Sequence, residues 1–214
     1  MAPERQFLLA TRNPGKLREL YGILEQFDLV CISADDAGIP RTPEEETVEC
    51  FDTFEDNALA KARYFFKLSG GLPVLADDSG LCVSSLGGAP GVWSRRYSGR
   101  NDLEGQALDD ANNAALLSAI RTLSRDASYS CAAAYVDGAN ELIAIGETRG
   151  SIVDEPAGSE GFGYDPYFLS AELGCTFGEA PTDAKAGISH RGRAFRKLLG
   201  TLREPGLLPS SDSS

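Results

Sequence analysis

Val74-Leu75-Ala76-Asp77-Asp78-Ser79-Gly80-Leu81 is the stretch on which the fold prediction rests. The apolar run before the carboxylates is long enough for a buried strand, and Asp-Ser-Gly is typical of turns. A strand ending here would deliver two acids to the carboxyl edge of an open α/β sheet, where such folds keep their sites. Two interpretations stay open: the aspartates cap a turn, or one of them is a metal ligand or general base.

Composition limits the class of protein. The 214 residues fit one domain or a two-lobed domain. No apolar run approaches the roughly 20 residues of a membrane span, and the amino terminus lacks the pattern of a secretory signal. The five cysteines are odd in number and widely spaced, which fits neither a zinc knuckle nor a disulfide framework. We therefore expect a cytoplasmic protein that does not act at a membrane.

Charge is unevenly distributed along the chain. The net charge of −12 argues against a protein whose surface grips a nucleic-acid backbone. Residues 35–56 hold nine carboxylates and one arginine, whereas residues 185–203 hold six cations and no acid. Together the two segments could hold a metal ion and a polyphosphate, and the alternative is that both are solvated faces.

The start of the chain has the form of a phosphate-binding unit. A strand over residues 6–10 leads into Thr11-Arg12-Asn13-Pro14-Gly15-Lys16, and apolar residues then recur at helical spacing. A glycine-containing loop between strand and helix, with a lysine at the junction, is suited to bind phosphate. Ala10 and Leu17 stand where the Walker pattern requires Gly and Ser or Thr, so an ordinary strand-to-helix turn is the alternative.

Later segments predict a mixed sheet. An acidic loop over residues 36–50 precedes Thr53-Phe54-Glu55-Asp56, which has the form of a helix capping box. Two β segments, residues 129–136 and 142–153, are joined through Asp137-Gly138, which is typical of a hairpin. An antiparallel hairpin following a βαβαβ-like start predicts a mixed α/β sheet.

The last third contains two further candidate segments. Gly161-Phe162-Gly163-Tyr164-Asp165-Pro166 combines glycines with aromatic rings, which suits a planar heterocycle, although a tyrosine turn without a ligand is equally compatible. Ser189 is a candidate N-cap that places His190 and Arg191 in the first turn of a helix. His190 is the only histidine, which excludes a His-rich zinc site. Residues 204–214 are predicted to be a disordered tail.

Six segments in this order resemble the inosine triphosphate pyrophosphatase family, and the resemblance covers residues 6–203. They are Thr11-Arg12-Asn13-Pro14-Gly15-Lys16, Thr53-Phe54-Glu55-Asp56-Asn57-Ala58, Ala76-Asp77-Asp78-Ser79-Gly80-Leu81, Gly87-Gly88-Ala89-Pro90-Gly91, Gly161-Phe162-Gly163-Tyr164-Asp165-Pro166 and Ile188-Ser189-His190-Arg191-Gly192.

The resemblance implies a fold and a reaction. The fold would be a mixed α/β domain over residues 1–203, with an elongated central sheet flanked by helices and two lobes around a substrate cleft. The protein would be a homodimer that requires Mg²⁺. It would hydrolyse a small-molecule substrate, a noncanonical purine nucleoside triphosphate such as ITP, dITP or XTP, to the monophosphate and pyrophosphate. The alternatives are a related phosphohydrolase of other base specificity and a non-catalytic nucleotide sensor.

The resemblance also implies roles for single residues. Asp78 would be the catalytic carboxylate and a metal ligand, with Glu49 as a second metal ligand. Independently of the resemblance, neighbouring side chains of a strand point to opposite faces, so Asp77 is expected to serve the scaffold or to support the residues that contact the ligand. The substrate-binding residues would be Thr11, Arg12, Asn13, Pro14, Gly15, Lys16, Ser79, Phe162, Gly163, Tyr164, Asp165, Lys185, His190 and Arg191.

Overall fold

The computed structural model describes residues 6–203 and 207–208. That part of the chain holds six strands and five α-helices. In chain order they are β1 (Gln6–Leu9), α1 (Pro14–Leu24), β2 (Val30–Ser33), α2 (Phe54–Leu68), β3 (Val74–Val83), α3 (Gly105–Ala119), β4 (Asp126–Val136), β5 (Glu141–Ile152), β6 (Phe168–Ser170), α4 (Thr182–Ile188) and α5 (His190–Arg203).

The strands form one mixed sheet, as predicted. Their order is β2-β1-β3-β4-β5-β6. Strand β1 pairs parallel to both β2 and β3, whereas β5 and β6 pair antiparallel. The predicted turn between β4 and β5 is present, since Asp137 Oδ1 accepts hydrogen bonds from the backbone N–H groups of Ala139 (3.1 Å) and Asn140 (2.8 Å). Gly138 supplies the positive φ, +85°, that this turn requires.

Strand β3 differs from the prediction in one respect. It continues through residues 77–80, so the turn considered at Asp-Ser-Gly is wrong. Gly80 is required for space rather than for a turn, because a Cβ there would come closer than van der Waals contact to Gly91 O and Ser94 Oγ. Ser94 Oγ also accepts a hydrogen bond from Leu81 N (2.9 Å), which holds this close approach in place.

The chain groups into two compact units. Within the described residues, unit 1 comprises residues 6–78, 131–146, 191–203 and 207–208, and unit 2 comprises residues 79–130 and 147–190. One buried cluster of unit 1 includes Leu8, Ala58, Ala62, Phe65, Val74, Ala76 and Val136, and the rings of Phe7, Tyr135 and Phe195 are also fully buried in this unit. The core of unit 2 is rich in aromatic rings and includes Leu81, Leu116, Tyr129, Tyr164, Phe168 and Phe177.

The predicted helix starts are confirmed for α2 and α5, and a helix follows the loop over residues 11–16 as predicted. Asn13 caps α1 and Thr53 caps α2, each through a side-chain oxygen that accepts a backbone N–H. Helix α5 begins at His190, so His190 and Arg191 do lie in its first turn. Strand β6 and helix α4, which were not predicted, are only three and seven residues long. Such short elements carry too little periodicity to be recognised from sequence.

Most of the predicted tail, residues 204–214, lies outside the described residues. Of the two tail residues that are described, Leu207 N donates to Leu202 O (3.0 Å), and Leu208 is buried. The prediction of a single domain over residues 1–203 stays a prediction.

Each helix in the described part of the chain is too short or too polar to cross a lipid bilayer.

A matched pair of glycine variants tests the account of β3. Gly80→Ala is expected to destabilise the protein by about 1–3 kcal/mol, because the new methyl group overlaps Gly91 O and Ser94 Oγ. Gly22→Ala, in α1 with open space around the new methyl group, is expected to stabilise by about 0.5–1 kcal/mol. Urea unfolding measures both, and a Gly80→Ala protein as stable as the wild type would contradict the packing argument.

Candidate active site

The loop over residues 11–16 is organised by its own polar side chains. Thr11 Oγ1 accepts a hydrogen bond from Asn13 N (3.2 Å). Asn13 Oδ1 accepts from Gly15 N (2.8 Å) and Lys16 N (3.1 Å), and Pro14 occupies the first turn of α1. The backbone N–H groups of Gly15 and Lys16 are thus already bonded to Asn13. The side-chain donors of this loop that could bind an anion are therefore chiefly the Asn13 amide NH₂ and the Lys16 ammonium group.

Asp77 is an ionised carboxylate buried within unit 1. Its Oδ2 lies 3.1 Å from Lys16 Nζ and accepts a hydrogen bond from Arg191 Nε (3.1 Å). Arg191 is only 2% exposed and also donates to Glu19. Burial alone would raise the pKa of Asp77, but Lys16, Arg191 and Lys61 outweigh it and hold that pKa far below its ordinary value.

Arg191 is therefore placed in unit 1 beside Asp77. Its guanidinium group joins α5 to β3 and, through Glu19, to α1. Burial would lower the pKa of Arg191, but Asp77 and Glu19 outweigh that effect and keep the guanidinium charged. The expectation that Arg191 also contacts the nucleotide stays a prediction.

Asp78, the next residue of β3, lies in a different setting. Its Oδ2 accepts a hydrogen bond from Asn57 Nδ2 (3.0 Å), a neutral donor. Burial raises the pKa of Asp78, and the charges of Glu49 and Asp77 raise it further, against the opposing effect of Lys16 and Lys61. A carboxylate with raised proton affinity is suited to act as a general base near neutral pH.

Glu49 and Lys61 form an ion pair beside these aspartates. Lys61 is buried in α2 and donates to Glu49. Burial would lower the pKa of Lys61, but Glu49, Asp77 and Asp78 outweigh it and raise that pKa. Burial would likewise raise the pKa of Glu49, but Lys61 and Lys16 hold it below its ordinary value. The three acids and two lysines thus form one coupled charge cluster in unit 1.

Lys61 and Asn57 were not predicted as site residues. Both look like ordinary helix positions in sequence, but Lys61 shares the core-facing side of α2 with Ala58, Ala62 and Phe65. A lysine on the apolar face of a helix is rarely buried without a partner, and this was the available indication.

Arg12 is bonded within the protein. Its Nε donates to Glu45 Oε1 (2.8 Å) and Oε2 (3.0 Å), and Nη2 donates to the carbonyl oxygens of Ile39 (3.0 Å) and Pro40 (3.2 Å). Nη1 donates to Asp35. These contacts connect the acidic segment, residues 35–56, to the loop over residues 11–16. Its predicted role in substrate binding stays a prediction.

Unit 2 holds a second cluster, built around Asp165 and Lys185. Lys185 Nζ donates to Asp165 Oδ2 (2.7 Å) and lies 5.7 and 5.2 Å from the ring centroids of Phe162 and Phe177. Phe162 N also donates to Asp165 Oδ2 (2.9 Å). The buried lysine is thus paired with a carboxylate between two aromatic rings, a favourable setting for its charge.

Helix α3 fixes the rest of the predicted aromatic turn. Gly163 N donates to Asp109 Oδ2 (2.9 Å), and Asn113 Nδ2 donates to Gly163 O (2.9 Å). Tyr164 donates its hydroxyl proton to Ser94 O (2.8 Å). The backbone N–H and the carbonyl oxygen of Gly163 are therefore both bonded to side chains of α3, which makes the turn a rigid part of unit 2.

His190 lies at the end of an aromatic stack. Its ring is nearly parallel to that of Tyr129, with centroids 4.6 Å apart, and Tyr129 is in turn stacked on Phe177 at 5.8 Å. His190 and Lys185 are thus both connected to Phe177 within unit 2. Ser79, the other predicted site residue of this unit, is a half-buried residue of β3.

The two adjacent aspartates are expected to differ in their effect on stability. Asp77→Asn should destabilise the metal-free protein at pH 7 by about 3–5 kcal/mol, because it removes the buried negative charge that Lys16 and Arg191 share and leaves Arg191 with Glu19 alone. Asp78→Asn should cost nothing or stabilise, because a raised pKa means that ionised Asp78 is less favourable in the folded than in the unfolded chain. Urea unfolding measures both.

The pH dependence provides the control. The stability from Asp77, whose folded-state pKa is depressed, is present above about pH 4 and declines as the pH falls further. The gap between wild type and Asp77→Asn should therefore narrow below about pH 4. Equal losses for both variants would contradict the assignment.

Comparison with known proteins places this geometry in a family. The model of the Ham1 family matches residues 7–201. A dITP/XTP pyrophosphatase of Geobacter sulfurreducens is 45% identical over 206 residues, covering 94% of this chain and 98% of its own length. A dITP/XTP pyrophosphatase of Photorhabdus laumondii is 40% identical over 205 residues, covering 93% of this chain and 98% of its own.

A solved structure agrees with these matches. The structure of a HAM1 protein from Coxiella burnetii superposes with a TM-score of 0.78 at 36% identity, covering 93% of this chain and 98% of that one. These matches confirm the resemblance drawn from the six sequence segments. Because the family model and the relatives span nearly all of the described residues, this chain belongs to the Ham1 family.

Proposed function

We propose that this chain hydrolyses dITP, XTP and ITP to the nucleoside monophosphate and pyrophosphate, and so removes noncanonical purine nucleotides from the nucleotide pool. The observation that carries the proposal is the charge cluster in unit 1. Beside Lys16 and Lys61, the pKa of Asp77 is lowered, whereas the pKa of the adjacent Asp78 is raised. The names of the relatives from Geobacter sulfurreducens and Photorhabdus laumondii support the same reaction.

The triphosphate is assigned to unit 1. Lys16 and Lys61 supply positive charge, and the loop over residues 11–16 supplies the polar groups of Thr11 and Asn13 around the fixed backbone of Pro14 and Gly15. Lys61 joins this set because it shares the charge cluster with Glu49 and Asp78. Arg12 is assigned to holding the acidic segment, since its guanidinium is already bonded to Glu45 and Asp35.

The donor set of unit 1 fits Mg²⁺. Within residues 6–203 and 207–208 no three Asp, Glu, His or Cys side chains are arranged to hold a metal ion by themselves. Mg²⁺ is usually held by one or two carboxylates together with substrate phosphates. Asp78 and Glu49 are two such carboxylates, and Glu49 lies close enough to raise the pKa of Asp78. When bound, Mg²⁺ would neutralise charge on the phosphates.

The chemical step is assigned to Asp78. Cleavage of the anhydride between the α and β phosphates needs a water molecule to lose a proton and pyrophosphate to leave. Asp78 accepts that proton, since its raised pKa favours the transfer, while Lys16 and Lys61 stabilise the negative charge that accumulates on the phosphates.

The base is assigned to unit 2. Phe162, Gly163, Tyr164 and Asp165 form a rigid turn with an aromatic face, and Lys185 holds that turn through Asp165. His190 is the proposed hydrogen-bond donor to the 6-keto oxygen of hypoxanthine or xanthine. The 6-amino group of adenine would instead meet that donor with its own hydrogens, which costs about 1–3 kcal/mol. Ser79 of unit 2 and Arg191 of unit 1 complete the proposed substrate-binding set.

We further propose that the protein is a cytoplasmic homodimer. All five cysteines are free thiols, in keeping with a reducing compartment. Ile143 and Ile145 of β5 are 41% and 46% exposed, which offers apolar surface to a second copy. Light scattering of the purified protein tests the dimer, and a monomeric mass at micromolar concentration would contradict it.

Product analysis tests the reaction. With dITP and Mg²⁺, phosphorus NMR is expected to show dIMP and pyrophosphate in equal amounts, and dIDP with inorganic phosphate would contradict the proposal. Asp78→Asn is expected to lower kcat by about 10²–10⁴-fold while the protein stays folded. Asp102→Asn, an exposed aspartate paired with Arg100, is the matched control and should leave kcat unchanged.

Base discrimination tests the assignment of His190. His190→Phe keeps a ring that stacks on Tyr129 but removes the N–H donors. The ratio of kcat/KM for dITP to that for dATP is expected to fall about tenfold to a hundredfold, because the variant no longer penalises adenine. Steady-state kinetics with both nucleotides measure the ratio, and an unchanged ratio would show that discrimination lies elsewhere.

A further inference from the structure

Asn57 makes three hydrogen bonds in the interior of unit 1. It lies near the start of α2 and is 2% exposed. Its Oδ1 accepts from Phe51 N (2.9 Å), and its Nδ2 donates to Phe51 O (3.1 Å) and to Asp78 Oδ2 (3.0 Å). The amide oxygen and both amide hydrogens therefore each have a partner.

These bonds permit only one orientation of the amide. If the group were turned over, its NH₂ would face Phe51 N–H, donor against donor, and its oxygen would face Phe51 O and the Asp78 carboxylate. The backbone of Phe51 therefore sets the orientation of the Asn57 amide, and the second N–H of that amide then holds Asp78 Oδ2 in place. Through this one side chain, the carboxylate of β3 is fixed relative to the segment that precedes α2.

The neutrality of Asn57 distinguishes it from the partners of Asp77. Lys16 and Arg191 hold Asp77 by cancelling its charge. Asn57 holds Asp78 through a neutral amide, so this hydrogen bond orients the carboxylate without bringing a positive charge of its own. A carboxylate that binds a cation or accepts a proton needs that combination.

We propose that Asn57 is a positioning residue for the divalent-metal site. It orients Asp78 directly and, through Phe51, holds the segment in which Glu49 lies two residues earlier. Asp78 and Glu49 would hold the cation, and Asn57 would limit the movement of Asp78 and of the segment that carries Glu49. This inference rests on the proposed function, which assigns the metal to Asp78 and Glu49.

Metal binding without nucleotide provides the first test. Mn²⁺ favours the same oxygen ligands as Mg²⁺ and can be titrated by electron paramagnetic resonance. Asn57→Ala is expected to weaken Mn²⁺ binding about tenfold to a hundredfold. Thr53→Ala removes the N-cap of the same helix without touching Asp78, so it should lower the melting temperature and leave Mn²⁺ affinity unchanged. Wild-type Mn²⁺ affinity in Asn57→Ala would overturn the proposal.

A combined variant tests whether Asn57 acts through Asp78. In the Asp78→Asn background only the route through Phe51 and Glu49 remains, so Asn57→Ala is expected to cause a clearly smaller loss of Mn²⁺ affinity than it causes in the wild type. An equal loss of Mn²⁺ affinity in both backgrounds would show that Asn57 does not act through Asp78 and would overturn the proposal.

Kinetics provide an independent measurement. With dITP, Asn57→Ala is expected to raise the Mg²⁺ concentration for half-maximal rate and to lower kcat, with little change in KM. Asn57→Asp can accept a hydrogen bond from Phe51 N but cannot donate one to Asp78, so it should lower kcat to a similar extent. This variant replaces Asn57→Ala as the test if the alanine variant does not fold. Wild-type kcat in Asn57→Asp would contradict the proposal.

A wild-type protein that releases no pyrophosphate would refute the proposed function instead, and the Mn²⁺ titration would still decide the role of Asn57.

Discussion

Asp77 keeps its charge in the interior of unit 1 because two cations meet one of its oxygens. Moving a carboxylate out of water costs several kcal/mol, and Lys16 and Arg191 together offset that cost. The three charged groups come from β3, from the first turn of α1 and from the first turn of α5. Their mutual attraction thus holds the lysine of the loop over residues 11–16 against the central strand. Lys61 belongs to the same cluster, because its charge also lowers the pKa of Asp77.

The alternation of side chains along a strand gives the two aspartates different tasks. Asp77 meets cations, and Asp78, one residue later, meets the neutral amide of Asn57. Burial acts on both carboxylates in the same direction, so the difference between them comes from their partners. One sequence motif therefore supplies both a carboxylate of lowered pKa that supports the fold and a carboxylate of raised pKa. In unit 2, Asp165 forms a similar buried ion pair with Lys185.

The parts of this structure that depend on local sequence could be predicted, and those that depend on distant partners could not. The cap at Thr53 and the turn at Asp137 follow from residues close together in the chain, and the mixed sheet follows from the order of such local segments. Ser79 and Gly80 have the composition of a turn, but packing against Gly91 and Ser94 keeps them within β3. Arg191 is 114 residues from Asp77, and Arg12 is 33 residues from Glu45, so their pairing could not be foreseen from either neighbourhood.

The measurement that tests this account most directly is a titration of the aspartate side-chain carboxyl carbons by NMR in the metal-free protein. Asp77 should show no protonation across the whole pH range in which the protein stays folded, whereas Asp78 should titrate above the ordinary value of about 3.9 for an aspartate. An Asp77 that titrates at an ordinary pH, or an Asp78 that stays ionised as long as Asp77, would contradict the division of roles between the two carboxylates.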